Sequence, residues 1–159
     1  LSVLLRGPRA VRDTRTVSSI ITFFVAADHA EAAGTAESRP GAEADSVTFG
    51  NFDVLSTLDE WESVLTNRDL DELIAADGSE IIAGGNDRPL VVAASGDLVT
   101  ALAAADAETL PAAARRWAEL RADEGETIDD ELAAEIVVEV ASLAVKAVRT
   151  RGALYCRIS

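Results

Sequence analysis

Methionine is absent from the 159-residue chain, and cysteine and histidine occur once each, as Cys156 and His29. One cysteine excludes an intramolecular disulfide and any Cys-rich zinc site. One histidine excludes the paired-His metal motifs, and no calcium-type Asp-x-Asp-x-Asp-Gly loop occurs. Aromatic residues make up only 4%, so the core must be built from Ala, Val, Leu and Ile. The stacking platforms of a glycosidase are correspondingly scarce. No stretch reaches the ~18–20 continuous apolar residues of a membrane-spanning helix.

Basic residues are also few. Fourteen Lys and Arg stand against 28 Asp and Glu, a formal net charge of −14. That balance repels nucleic acid and anionic membranes, which bind through clustered Lys and Arg. It leaves a basic protein as the expected kind of partner. Lys146 is the single lysine, and the Ala-rich, Arg-over-Lys usage points to GC-rich coding, as in actinobacteria. Haloarchaeal acidity is the rival explanation.

What remains is ample for a fold: 48% apolar residues in a length that suits one domain. Residues 1–17 read as a flexible basic extension, with Arg6, Arg9, Arg12 and Arg15 against Asp13. An upstream extension and a secretory signal are the other readings of this segment. The apolar run "IITFFVAA" is short for a signal and reads well as a strand, so the expected location is cytoplasmic.

Residues 18–159 read as a single α+β domain, with helices packed on a small mixed sheet whose first and last strands are candidates for neighbours. "SIITFFVAA" (19–27) lacks polar alternation, as a central strand covered on both faces does. Asp28 is placed to cap a short helix, "HAEAA", and residues 34–46 read as a mobile loop. "VTFGNFDVL" is expected to be extended. "STLDEWESVLTN" is then helical, with Ser56 or Thr57 as cap and Leu58, Trp61, Val64 and Leu65 on one stripe. A short helix follows at "RDLDELIAAD".

"SEIIAGGNDRPLVVAAS" predicts two strands around a "GGNDRP" turn. Three helices come next, the first with Gly96 as turn and Asp97 as cap. The second is "ETLPAAARRWAELRADEG", and the third carries Leu132, Ile136, Val140, Leu143, Ala144 and Ala147 at spacings of three and four. Asp129, Asp130 and Glu131 at its start and Lys146, Arg149 and Arg151 at its end suit the helix dipole. "ALYCRIS" closes the chain as a strand.

Alternation along that strand puts Leu154, Cys156 and Ile158 on one face and Ala153, Tyr155 and Arg157 on the other. Cys156 between two aliphatics is the setting of an inert thiol, since a reactive one needs a cationic neighbour or a helix N-terminus. A Cys156–His29 dyad is therefore disfavoured. The acidic starts "DLDE" (69–72) and "IDDE" (128–131) are accounted for by capping and the dipole. The glycine pair in "AGGNDRP" leads into a strand, unlike a phosphate cradle, which opens onto a helix.

The most distinctive stretch is "FGNFDVLSTLDEWESVLTN". Its bland reading is a bend anchored by Phe49 and Phe52. Its sharper reading is a binding rim made by Asn51, Asp53, Glu60 and Glu62.

The run from "EWESVLTN" through "RPLVVAAS" to "GALYCRIS" resembles small acidic actinobacterial proteins and is similar to the YfbM-like family. Shared features are a helix ending in a Leu-Thr pair, here Leu65–Thr66, a long C-terminal helix and a short apolar closing strand. The resemblance covers residues 18–159. The basic arm and the 34–46 loop have no counterpart in it. It implies a fold rather than a role, and it carries over no catalytic residue.

The expectation is thus a non-catalytic protein acting through protein–protein contact, with an immunity-like role as one form. No catalytic residue, cofactor or metal is assigned. The alternative is a carboxylate-based hydrolase or a small-molecule-binding protein with a site near residues 49–62.

Overall fold

The computed structural model describes residues 20–36, 45–50, 52–76, 79–85 and 88–159. The basic arm, Asn51 and most of the 34–46 loop lie outside these residues. Among the described residues, five strands form one sheet: β1 (Ile21–Ala26), β2 (Ser46–Phe49), β3 (Glu80–Gly85), β4 (Arg88–Ala93) and β5 (Ala153–Ile158). Their order is β2-β1-β5-β4-β3, so the first and last strands of the chain are neighbours at the centre. The helices are α1 (His29–Ala33), α2 (Val54–Thr66), α3 (Leu70–Ala76), α4 (Gly96–Ala104), α5 (Thr109–Asp123) and α6 (Asp130–Thr150). The architecture is α+β in a single domain.

Every strand pairing is antiparallel, where the sequence suggested a mixed sheet. β3 ends at Gly85 and β4 begins at Arg88, and a connection of two residues is too short for parallel pairing. β5 then inserts between β1 and β4 with Phe23 opposite Cys156 and Val92 opposite Cys156 on the other side. Two backbone hydrogen bonds, Ile20 N–H to Ser159 O at 2.8 Å and the reverse at 3.0 Å, extend the central pair.

Alternation along β1 and β5 divides the core between the two faces. Phe23, Leu154, Cys156 and Val92 point to the side covered by α2, α4, α5 and α6. Phe24, Tyr155, Val91 and Ala93 point to the other side, beneath α1 and the 3-10 turn Gly34–Ala36. The apolar stripe of α6 is buried from Ile136 to Ala147, while Leu132, in the first turn, stays exposed.

Helix starts fall earlier than capping residues alone suggested. α2 begins at Val54 because the Asp53 carboxylate, not Ser56 or Thr57, accepts the Ser56 N–H, at 3.2 Å. α4 is capped by Ser95, not Asp97: the Ser95 Oγ accepts the Leu98 N–H at 3.1 Å, and Asp97 lies in the first turn. Two glycines answer to close backbone approach. A Cβ at Gly84 (φ 85°) would collide with the Pro89 carbonyl, and one at Gly152 would stand 2.6 Å from the Ala26 carbonyl oxygen.

Candidate functional site

The bend before α2 places Phe52 in the core, edge-on to Trp117 with ring centroids 5.5 Å apart. Trp117 in turn meets Trp61 at 5.2 Å, and Trp61 meets Phe23 at 5.8 Å. A continuous aromatic row therefore runs from the bend to the sheet. It fixes α2 against α5, and with it the polar side chains that α2 carries inward. Thr57 Oγ1 accepts the indole N–H of Trp117 at 3.1 Å.

Glu60, one turn further along α2, is only 4% exposed. Its carboxylate takes two hydrogen bonds from Arg121, Nε to Oε1 at 2.8 Å and Nη2 to Oε2 at 2.6 Å. This is the fork-to-fork geometry in which a buried pair compensates its lost hydration. Arg121 Nη1 also reaches Glu126 at 3.3 Å and approaches Asp53 at 3.9 Å. Burial works against the guanidinium charge. Glu60 and then Glu126 outweigh that cost and hold its pKa above the ordinary value.

Glu126 accepts the Asp53 N–H at 3.1 Å, joining the α5–α6 loop to the start of α2. Burial raises its pKa, against the lowering effects of the Asp53 N–H and Arg121. The cluster is a junction of three chain segments.

Glu62, 2% exposed, belongs to a separate knot. It accepts from Ser95 Oγ at 2.6 Å and from Arg68 Nη1 at 3.2 Å. Ser95 thus caps α4 and ties it to α2 with one hydroxyl. Arg68 bridges onward to Asp97 at 3.2 Å.

The structure therefore separates the residues that sequence grouped as a rim. Asn51 lies outside the described residues. Asp53 is an exposed helix cap at the edge of the Arg121 junction. Glu60 and Glu62 are buried on α2, each facing its own partner, rather than presented to solvent. Sequence reading did not identify Arg121, Ser95 or Arg68. One signal was available: Arg121 follows Trp117 by four residues, so both share the inward face of α5, as Glu60 shares that of α2 with Thr57.

The Cys–His pair is kept apart by the sheet. Cys156 is 1% exposed on the four-helix side, and burial raises its thiol pKa well above the ordinary value. His29 stands on the opposite side, its Nδ1 2.9 Å from the Tyr155 hydroxyl and its Nε2 3.4 Å from Glu80. Burial, and then the charges of Asp28 and Glu31, raise the Tyr155 pKa, so the phenol is a poor nucleophile. Arg157 Nε donates to the Thr35 carbonyl at 2.8 Å, fastening the 3-10 turn to β5.

Among the described residues, no group of three His, Cys, Asp or Glu side chains is placed to hold a metal ion. No described helix is long and apolar enough to cross a membrane. An open groove of about 460 Å³ lies between the outer edge of β2 and α6, lined by Asp45, Val47, Val138, Glu139, Ser142 and Lys146 among others. A Lys146–Asp45 ion pair of 3.1 Å joins two of its lining residues. Comparison with protein-family models, curated proteins and solved structures gives no match.

Proposed function

We propose that this is a non-catalytic protein that acts by protein–protein contact, its exposed carboxylates meeting a basic partner. The observation that carries the reading is the division of labour among the acids. The buried ones near residues 49–62 are bound internally, Glu60 by Arg121 and Glu62 by Ser95 and Arg68. Exposed carboxylates such as Asp69, Asp71 and Glu72 stand at the surface. Ile74, 53% exposed, lies on α3 three residues after Asp71, on the same side of the helix. An exposed apolar side chain beside an exposed acid suits a contact with a basic, partly apolar surface. An immunity-like role is the specific form of this reading, and the YfbM-like, actinobacterial resemblance is compatible with it.

The test is affinity capture from native lysate with wild type, Asp71→Lys/Glu72→Lys and Ile74→Ser, followed by direct titration of the captured protein. The expected partner is basic, is released by raised salt, and loses at least about tenfold in affinity to the double reversal, since charge juxtaposition costs several kcal/mol. Equal retention by all three proteins would refute the α3 surface. Glu60 and Glu62 are unsuitable for charge reversal, because both are buried and the fold itself would respond.

A small-molecule-binding role is the second reading. It draws on the open groove beside Lys146 rather than on residues 49–62.

A further inference from the structure

The two edges of the sheet are built differently. At β3 the pairing with β4 shifts register twice, between Ile81 and Ala83 and between Ala83 and Gly85. Irregularity of this kind is a common protection of an exposed edge. At β2 the register with β1 runs unbroken from Ile21–Phe49 to Phe24–Ser46. The Val25 N–H donates to the Asp45 carbonyl at 3.1 Å, so Asp45 sits at a hydrogen-bonded position of this antiparallel pair. Val47 and Phe49 alternate into the same role. Ser46 and Thr48 are therefore left with backbone N–H and C=O groups turned outward, away from β1. Among the described residues, no strand pairs with this side of β2.

The free edge borders the groove of about 460 Å³ against α6. Half-buried Val47 and Val138, which is 45% exposed, give the groove apolar walls. Its charged lining residues are Asp45, Glu139 and Lys146. Asp45 and Lys146 pair with each other at 3.1 Å. Among the described residues, Glu139 has no hydrogen bond or ion pair. Its own helix supplies no cation: the positions three and four away are Glu135, Ile136, Ser142 and Leu143, so the charged neighbour is another acid. Glu139 also lies mid-helix, away from both ends of the dipole. An uncompensated carboxylate thus stands beside an open strand edge, in a chain of net charge −14.

We propose that the outer edge of β2 takes up an extended, basic segment of a partner protein as a further strand. The segment's backbone bonds Ser46 and Thr48, an apolar side chain lies on Val47 and Val138, and a Lys or Arg side chain meets Glu139. The occupant is basic rather than a second copy of this chain, because two copies of charge −14 repel. α3 leads into β3 at the opposite edge of the sheet, so this surface is separate from the α3 contact and stands independently of it.

The probe is the blocked peptide acetyl-Val-Thr-Lys-Thr-Val-Thr-amide, which as a strand presents Val, Lys and Val on one face. It is titrated to about 1 mM against the full chain, with backbone amide chemical shifts as the readout. Saturable binding centred on the Ser46 and Thr48 amides is expected. Replacing the peptide's Lys by Glu should weaken binding about fivefold, the scale of an exposed ion pair, and Glu139→Lys should reverse that preference. N-methylation of one of the peptide's two alternating sets of amides should abolish binding, because that set donates to β2. Ile74→Ser, on α3, should leave the affinity unchanged. Absence of binding at about 1 mM would overturn the proposal. So would shifts centred away from β2, a charge preference indifferent to Glu139→Lys, full affinity in both N-methylated peptides, or loss of binding in Ile74→Ser.

Discussion

On one face of the sheet four helices bury Phe23, Leu154, Cys156 and the Trp61–Trp117 pair. On the other, among the described residues, a five-residue helix and one 3-10 turn cover Phe24, Tyr155 and Val91. The thick side draws its polar side chains into multiply bonded knots: Arg121 with Glu60 and Glu126, and Glu62 with Ser95 and Arg68. The thin side has lighter ties, chiefly His29 to Tyr155 and Arg157 to the Thr35 carbonyl. His29 itself is more than half exposed. The difference teaches where each kind of residue is spent. Buried charge serves the helical layer, while the thin layer is where local opening should begin.

The comparison can be broken by substitution on each side. Trp117→Ala removes a fully buried indole and orphans the Thr57 hydroxyl, and should cost about 3–5 kcal/mol by denaturant unfolding. Tyr155→Phe keeps the ring on the thin side and removes only the hydroxyl facing His29, so about 0.5–1.5 kcal/mol is expected. Equal losses for the two would erase the distinction between the faces.

A smaller effect sharpens the account of the thick side through its pH dependence. Asp106, which accepts the Thr109 and Glu108 N–H groups before α5, has a pKa below its usual 3.8, chiefly through Thr109. Its contribution is present above the unfolded pKa and lost as pH falls through the folded one. Glu126 is shifted the other way by burial, above its usual 4.5. Its contribution is present below the unfolded pKa and lost as pH rises through the folded value. Urea titrations from about pH 3 to about pH 7 should therefore show a flatter acid limb for Asp106→Ala. Glu126→Gln should lose the opposing decline above about pH 4.5.

Much of this fold is legible in the sequence, because hydrophobic period depends on neighbours a few residues away. The apolar run of β1, the stripe of α6 and the alternation of Leu154, Cys156 and Ile158 all follow from local spacing. Strand direction is not local: β5 is antiparallel to β1 and β4 because of connections made over the whole chain. The candidate site was the least legible part. Glu60 reads as a surface acid until Arg121, 61 positions away in sequence, is brought against it. Glu62 likewise needs Ser95, 33 positions away. A carboxylate carries no local mark that its partner will be buried with it, and only the inward faces of Thr57 and Trp117 hinted at one.

The buried acids of α2 hold the fold, and the proposed contact rests on the exposed ones. A double-mutant cycle on Glu60 and Arg121, read by denaturant unfolding, tests it most directly. Arg121→Leu alone strands the Glu60 carboxylate and should cost about 3–5 kcal/mol. Glu60→Leu/Arg121→Leu removes both charges and should recover most of that loss. If Arg121→Leu costs less than about 1 kcal/mol, the scale of an exposed pair, the pair does not hold the fold and the division between buried and exposed acids fails.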